Sequence, residues 1–120
     1  MKSVLVVDDN DLVRNLVVTI LEDAGFDVLT AAAGNEAIAL VTDQGDAIGC
    51  ILQDLSMPGM PGEEIAAALL DLDPTLPIII LSVDEPAYGA RCLAGLSIAG
   101  YVQKPFEADV LIAKVREITR

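Results

Sequence analysis

Short runs rich in β-branched residues recur along the chain. They alternate with stretches whose apolar positions fall three and four residues apart. The runs are Ser3–Val7, Asp27–Ala31, Ala47–Gln53, Ile78–Ser82 and Gly100–Gln103. Their length and composition predict strands. The first is apolar almost throughout, as a parallel strand covered on both faces should be. The intervening stretches predict helices at about Asp11–Ala24, Asn35–Asp43, Glu63–Leu72, Pro86–Ala94 and Glu107–Thr119. In the first helix Leu12, Val13, Leu16, Val17, Ile20 and Leu21 recur at helical spacing, which predicts one inward apolar face. Ala37, Leu40 and Val41 do the same in the second helix, Ile65, Leu69 and Leu72 in the third, and Leu111, Val115 and Ile118 in the fifth.

Punctuation between the elements agrees with this reading. Asn10 or Asp11 can cap the first helix and Gly25 can end it. Gly45 closes the second helix. Met57-Pro58-Gly59-Met60-Pro61-Gly62 reads as a rigid, turn-rich loop. The fourth helix is predicted to be short, because Gly89 and Gly95 would each weaken it by about 1 kcal/mol relative to Ala. Five alternations of strand and helix predict an α/β fold built on a parallel sheet.

Composition narrows the function. A chain of 120 residues with 53% hydrophobic content is long enough for one domain, residues 1–120, with a real core. Aromatic residues make up only 3% and Trp is absent, so that core must be aliphatic. A net charge of −12 argues against direct nucleic-acid binding, which needs Lys and Arg at phosphates, and against docking on anionic membranes. No apolar run approaches the roughly 20 residues needed for membrane insertion. Met1-Lys2-Ser3 leads straight into a strand without a signal peptide, so the expected location is cytoplasmic. There is no repeat, low-complexity tract or linker, and the stretch given leaves no room for an effector domain of its own. Cys50 and Cys92 lack metal-ligand spacing and His is absent, which argues against zinc and against Ser-His or Cys-His nucleophiles. A buried reduced thiol is the expected state of Cys50.

The polar residues that follow the strands carry the chemistry. Asp8 and Asp9 follow the first strand, Asp54 the third, Ser82 ends the fourth and Lys104 follows the fifth. Open parallel sheets bind ligands along the edge made by their strand C-termini. Three carboxylates, a hydroxyl and an ammonium would therefore meet in one crevice. Clustered carboxylates disfavour one another's ionisation, and a divalent cation relieves that repulsion. Oxygen ligands of this kind suit Mg²⁺ together with a phosphoryl group. Lys104 precedes Pro105, which biases its backbone to an extended form that aims the side chain; its ammonium would pair with Asp54 or a phosphoryl oxygen.

Four ordered motifs give the chain a resemblance over its whole length. They are Val7-Asp8-Asp9-Asn10, Asp54 followed by Met57-Pro58-Gly59, Leu81-Ser82, and Tyr101-Val102-Gln103-Lys104-Pro105-Phe106. In order and spacing they are similar to the receiver domains of two-component response regulators, the CheY-like superfamily. The resemblance implies a flavodoxin-like doubly wound (βα)5 fold with strand order 2-1-3-4-5. It implies that Asp54 accepts a phosphoryl group from a phosphohistidine on a histidine kinase or histidine phosphotransfer protein, rather than turning over an external substrate. Asp9 would ligate Mg²⁺ directly, Asp8 through water, and Ser56 through its backbone carbonyl, with Asp54 completing the set. Ser82 and Lys104 would hold the phosphoryl group. Tyr101 would turn inward as Ser82 moves, changing the surface seen by a downstream protein or by an effector domain attached in a longer chain. A phosphorylation-dependent dimer is also compatible with the family.

Three residues depart from the family pattern: Gln53 puts a polar group beside the acceptor, Val83 follows Ser82 where a small residue is usual, and Asp84 adds an acid at the entrance. Two other classes fit parts of the pattern. A Mg²⁺-dependent phosphatase with an aspartyl nucleophile would want a second acid two residues after Asp54, where Ser56 stands. A pseudo-receiver acting only as an interaction module would not need the complete acidic and basic set.

Overall fold

A computed structural model describes residues 2–55 and 57–119, with Pro86 described by its backbone only. Five parallel strands form one sheet in the order β2-β1-β3-β4-β5, where β1 is Ser3–Val7, β2 Val28–Ala31, β3 Ile48–Asp54, β4 Ile78–Ser82 and β5 Gly100–Gln103. The helices are α1 (Asp11–Asp23), α2 (Gly34–Gln44), α3 (Gly62–Leu72), α4 (Pro86–Cys92) and α5 (Ala108–Thr119), with a 3-10 turn at Gly45–Ala47. This is the expected doubly wound flavodoxin-like fold.

Successive strand residues point to opposite faces, and both faces are covered. Val4, Val6, Cys50, Leu52, Ile79 and Leu81 meet Val17 and Leu21 of α1 and Leu111 and Val115 of α5. Leu5, Val7, Ile51, Ile78 and Ile80 meet Ala37 and Val41 of α2, Ile65 and Leu69 of α3, and Leu93 just past α4. Cys50 belongs to the first of these layers, and burial pushes its thiol up to about 12. It is an inert core residue, as expected.

The ends of several elements differ from the sequence reading. Asn10 caps α1, its side-chain oxygen accepting from the amides of Leu12 and Val13. Gly25 follows the helix at φ +96°, a left-handed position that favours glycine. Gly45 caps the end of α2, as expected, and also opens the 3-10 turn, so β3 starts at Ile48, one residue later than expected, and runs on through Asp54. The acceptor candidate is thus the last residue of the strand rather than the first of the loop. Helix α4 stops at Cys92, two residues earlier than expected, and Gly95 takes φ +86° in the connection beyond it.

The inward faces are narrower than periodicity suggested. Leu12 is 82% exposed, Leu16 is 56% exposed, and Leu72 at the end of α3 is also exposed. Only about a third of a helix circumference can touch a flat sheet. Val17 and Leu21 take that position in α1, so Leu12 and Leu16, four residues apart, form a solvent-facing stripe beside it.

Candidate functional site

The sheet register brings the chemistry-bearing strand ends into a row. Val7 pairs with Gln53, Asp54 with Leu81, and Ser82 with Gln103. Asp8 is therefore set beside Asp54, Asp54 one step from Ser82, and Ser82 one step from Lys104. The amide of Lys104 donates to the Ser82 carbonyl at 2.7 Å, which carries β5 pairing past the end of the strand. The row lies between and beyond β1 and β3, where chain connections leave the sheet in opposite directions. Such a switch point opens a crevice at the carboxyl edge of the strands.

Asp8, Asp9 and Asp54 each place a carboxylate oxygen within 4.8 Å of the others. Asp8 and Asp54 are buried and Asp9 is exposed. Lys104 reaches across from β5, with Nζ 3.3 Å from Asp8 Oδ2 and 3.6 Å from Asp54 Oδ1. The ammonium was expected on Asp54 or a phosphoryl oxygen; it sits between two carboxylates, nearer to Asp8. Ser56, expected to offer its carbonyl to a metal, lies outside the described residues.

Two residues hold Asp8 in a way the sequence did not foretell, although Asn10 was expected as a helix cap. The Asn10 amide donates to Asp8 Oδ1 at 2.9 Å. Arg14, one turn into α1, donates from its guanidinium to the Asp8 carbonyl at 2.8 Å and also bonds Asp11. The acidic pair is thereby tied to the start of α1. The signal was faint, an Arg three residues after Asp11, which is the spacing of helix neighbours.

Gln53 does not enter the crevice. Its side chain alternates to the opposite face, is fully buried, and donates from Nε2 to the Gly62 carbonyl at 2.7 Å. Its Oε1 is buried and has no hydrogen-bond partner among the described residues. Gly62 itself packs so closely on the Leu55 backbone that a Cβ there would collide with it. Gln53 and Gly62 together fasten the start of α3 under the loop that follows Asp54.

Ser82 is buried and held by its near neighbour Asp84. Ser82 Oγ lies 3.2 Å from Asp84 Oδ2, to which it donates, and accepts from the Asp84 amide at 3.1 Å. The Tyr101 hydroxyl donates to the Asp84 carbonyl at 2.9 Å. Asp84 thus touches both residues expected to form a switch, a role its sequence position did not reveal. Val83, between them, points into solvent at 67% exposure. The Tyr101 ring is half-buried against α4 while Ser82 remains on Asp84, so the two positions coexist.

The arrangement can chelate a hard cation, present a carboxylate nucleophile and neutralise anionic oxygens with an ammonium and a hydroxyl. Among the described residues no helix is long and apolar enough to cross a membrane.

Comparison with known proteins finds clear relatives. A family model described as the response regulator receiver domain matches residues 4–116. The chain is 34% identical to the C4-dicarboxylate transport transcriptional regulatory protein DctD of Rhizobium meliloti over 95% of its own length and 24% of that protein. It is 31% identical to the sensor kinase CckA of Brucella abortus over 97% of its length and 12% of the kinase. Among solved structures, the chemotaxis protein CheY4 of Vibrio cholerae superposes with a TM-score of 0.89 at 31% identity, covering 98% of both chains. The chain spans about half the length, or less, of the first curated relatives it matches.

Proposed function

Because this chain belongs to the response regulator receiver domain family, we propose that it is a phosphorylation-controlled switch with Asp54 as its phosphoacceptor. The observation that carries the reading is one cluster at the sheet edge: three carboxylates within 4.8 Å of one another, with the Lys104 ammonium 3.6 Å from Asp54. In the proposed step an Asp54 oxygen attacks the phosphorus of a partner's phosphohistidine. The P–N bond breaks, an acyl phosphate forms, and the imidazole leaves. An aspartyl carboxylate is a competent nucleophile of this kind. Lys104 and the Ser82 hydroxyl would take the phosphoryl oxygens, Ser82 exchanging Asp84 for this new acceptor. Positioned charges of this sort are the main catalytic resource in phosphoryl transfer.

Asp8, Asp9 and Asp54, with the Ser56 carbonyl, would hold Mg²⁺. When bound, the cation neutralises charge on the transferring group. The donor set is all oxygen and contains no soft ligand, which fits that cation. The test of the whole reading is intact-mass spectrometry after incubation with acetyl phosphate and Mg²⁺. One added phosphoryl group, lost on omission of Mg²⁺ and mapped to the peptide containing Asp54, is the expected result. An unlabelled native chain would defeat it.

Mg²⁺ should also raise thermal stability, because it binds the clustered acids of the folded state alone. At about 100 times Kd the gain is roughly 2.7 kcal/mol. Asp9→Ala should lose most of the rise in Tm. A variant that responds like the native chain would remove Asp9 from the ligand set.

The phosphodonor must bring a histidine to this crevice. Leu12 and Leu16 form an exposed apolar stripe on α1, which begins beside Asp8 and Asp9. We assign that stripe to docking of the histidine kinase or phosphotransfer protein. Replacing both leucines by Asp should slow transfer from a phosphorylated histidine phosphotransfer protein by about tenfold or more, the scale of a lost apolar anchor. Labelling by acetyl phosphate, which needs no docking, should hardly change. Equal slowing with both donors would mean the substitutions had disturbed the site instead.

A further inference from the structure

Helix α4 carries a glycine where helix formation gains nothing from one. Gly89 is fourth in a seven-residue helix, is buried, and belongs to the poorest helix-forming residue type after proline. Its φ is not in the left-handed region, so the backbone does not require glycine there. What requires it is Tyr101. A Cβ built on Gly89 would lie 2.8 Å from Tyr101 Cζ, 3.0 Å from its hydroxyl and closer still to Cε2. No side chain at position 89 fits beside the ring as it stands.

We infer that Gly89 is the positioning residue of this aromatic: its missing Cβ makes a socket in α4 that holds Tyr101 inward without any displacement of Ser82. Two contacts hold the ring inward, and a third shows where Ser82 stands meanwhile. The ring lies on the helix backbone at Gly89, the hydroxyl donates to the Asp84 carbonyl at 2.9 Å, and Ser82 stays within 3.2 Å of Asp84 Oδ2. Space for the ring therefore comes from the helix and not from the hydroxyl at the end of β4. Tyr101 is also one wall of a groove of about 470 Å³ between the end of α4 and β5, shared with Leu93, Leu96 and Ile98. Holding the ring sets the shape of that groove.

The proposal is read in the full chain with no metal and no phosphodonor, so its failure and that of the phosphoacceptor reading are separate. In the native chain, nuclear Overhauser contacts are expected between the Tyr101 ring protons and the Gly89 Hα protons. They should persist in Ser82→Ala, because the socket does not involve the hydroxyl. In Gly89→Ala the ring must leave, since it is the movable partner. Its contacts to α4 should vanish and its resonances should move to those of a solvent-exposed tyrosine. Alanine favours helix over glycine, so α4 itself should tolerate the change. A ring that remains inward in Gly89→Ala would overturn the proposal, as would its release in Ser82→Ala or the lack of contacts in the native chain. If Gly89→Ala does not fold, the native and Ser82→Ala spectra still decide the matter.

Discussion

Asp54→Asn should take up no phosphoryl group under conditions in which the native chain takes up one. The amide of Asn carries no negative charge and is not a useful nucleophile, so the change removes the attacking atom while preserving the shape of the strand end. The neighbouring acids are poor substitutes. Asp8 is bound through Oδ1 to the Asn10 amide and through Oδ2 to Lys104, and Asp9 is exposed at the rim. The variant should nevertheless fold well. It has one fewer charge in a cluster of three carboxylates, which relieves mutual repulsion. Stability without Mg²⁺ equal to or above that of the native chain is therefore expected together with complete loss of the mass increment. That combination separates a missing nucleophile from a damaged fold. Labelling of the variant at the native level would transfer the acceptor role to another residue.

Lys104→Met should produce the second large effect, this time on stability. The ammonium is mostly buried, with its side chain 15% exposed, and bridges Asp8 and Asp54, whose side chains are 2% and 11% exposed. Methionine keeps the apolar stem and removes the charge. Breaking a buried ion pair by deleting one partner typically costs about 3–5 kcal/mol, because the remaining charges stay desolvated. Asp9 at the rim remains open to water, so about 3 kcal/mol is the expected loss in chemical denaturation without Mg²⁺. Saturating Mg²⁺ should recover much of it, since the cation then neutralises the same carboxylates. Labelling by acetyl phosphate should fall by about 100-fold even with Mg²⁺ present, the scale of removing one preorganised charge from a transition state. A variant as stable as the native chain in the absence of Mg²⁺ would show that the Lys104 pairs contribute nothing net.

How far each residue could be read in advance depended on how local its cause was. Asp8, Asp9, Asp54, Ser82 and Lys104 were readable because each follows or ends an apolar run, and the ends of parallel strands share one edge. The structure does bring them into one row, with three carboxylates and an ammonium in contact range. Arg14 was not readable, because its tie to the Asp8 carbonyl depends on how α1 leans on β1. Gln53 looked like a polar intruder at the site. Strand alternation sends it to the other face, where the close approach of Gly62 offers it a partner. Leu12 and Leu16 were expected inside, since spacing reports a helical stripe but not which part of that stripe meets the sheet.

The chain's own pattern determined the number, order and kind of elements and the strand ends that bear the chemistry. These follow from hydrophobic periodicity and turn residues, which act over a few positions. Tertiary structure alone decided which pairs touch across long separations. Lys104 bridges to Asp8 across 96 positions, and Tyr101 reaches the Asp84 carbonyl across 17. The reason is physical. A side chain's partner is set by which layer its element packs into and at what register, and that is the outcome of the whole core rather than of any local run. Gly89 shows it most plainly: within α4 it reads only as a weak spot, and its use becomes visible once β5 lays Tyr101 against it.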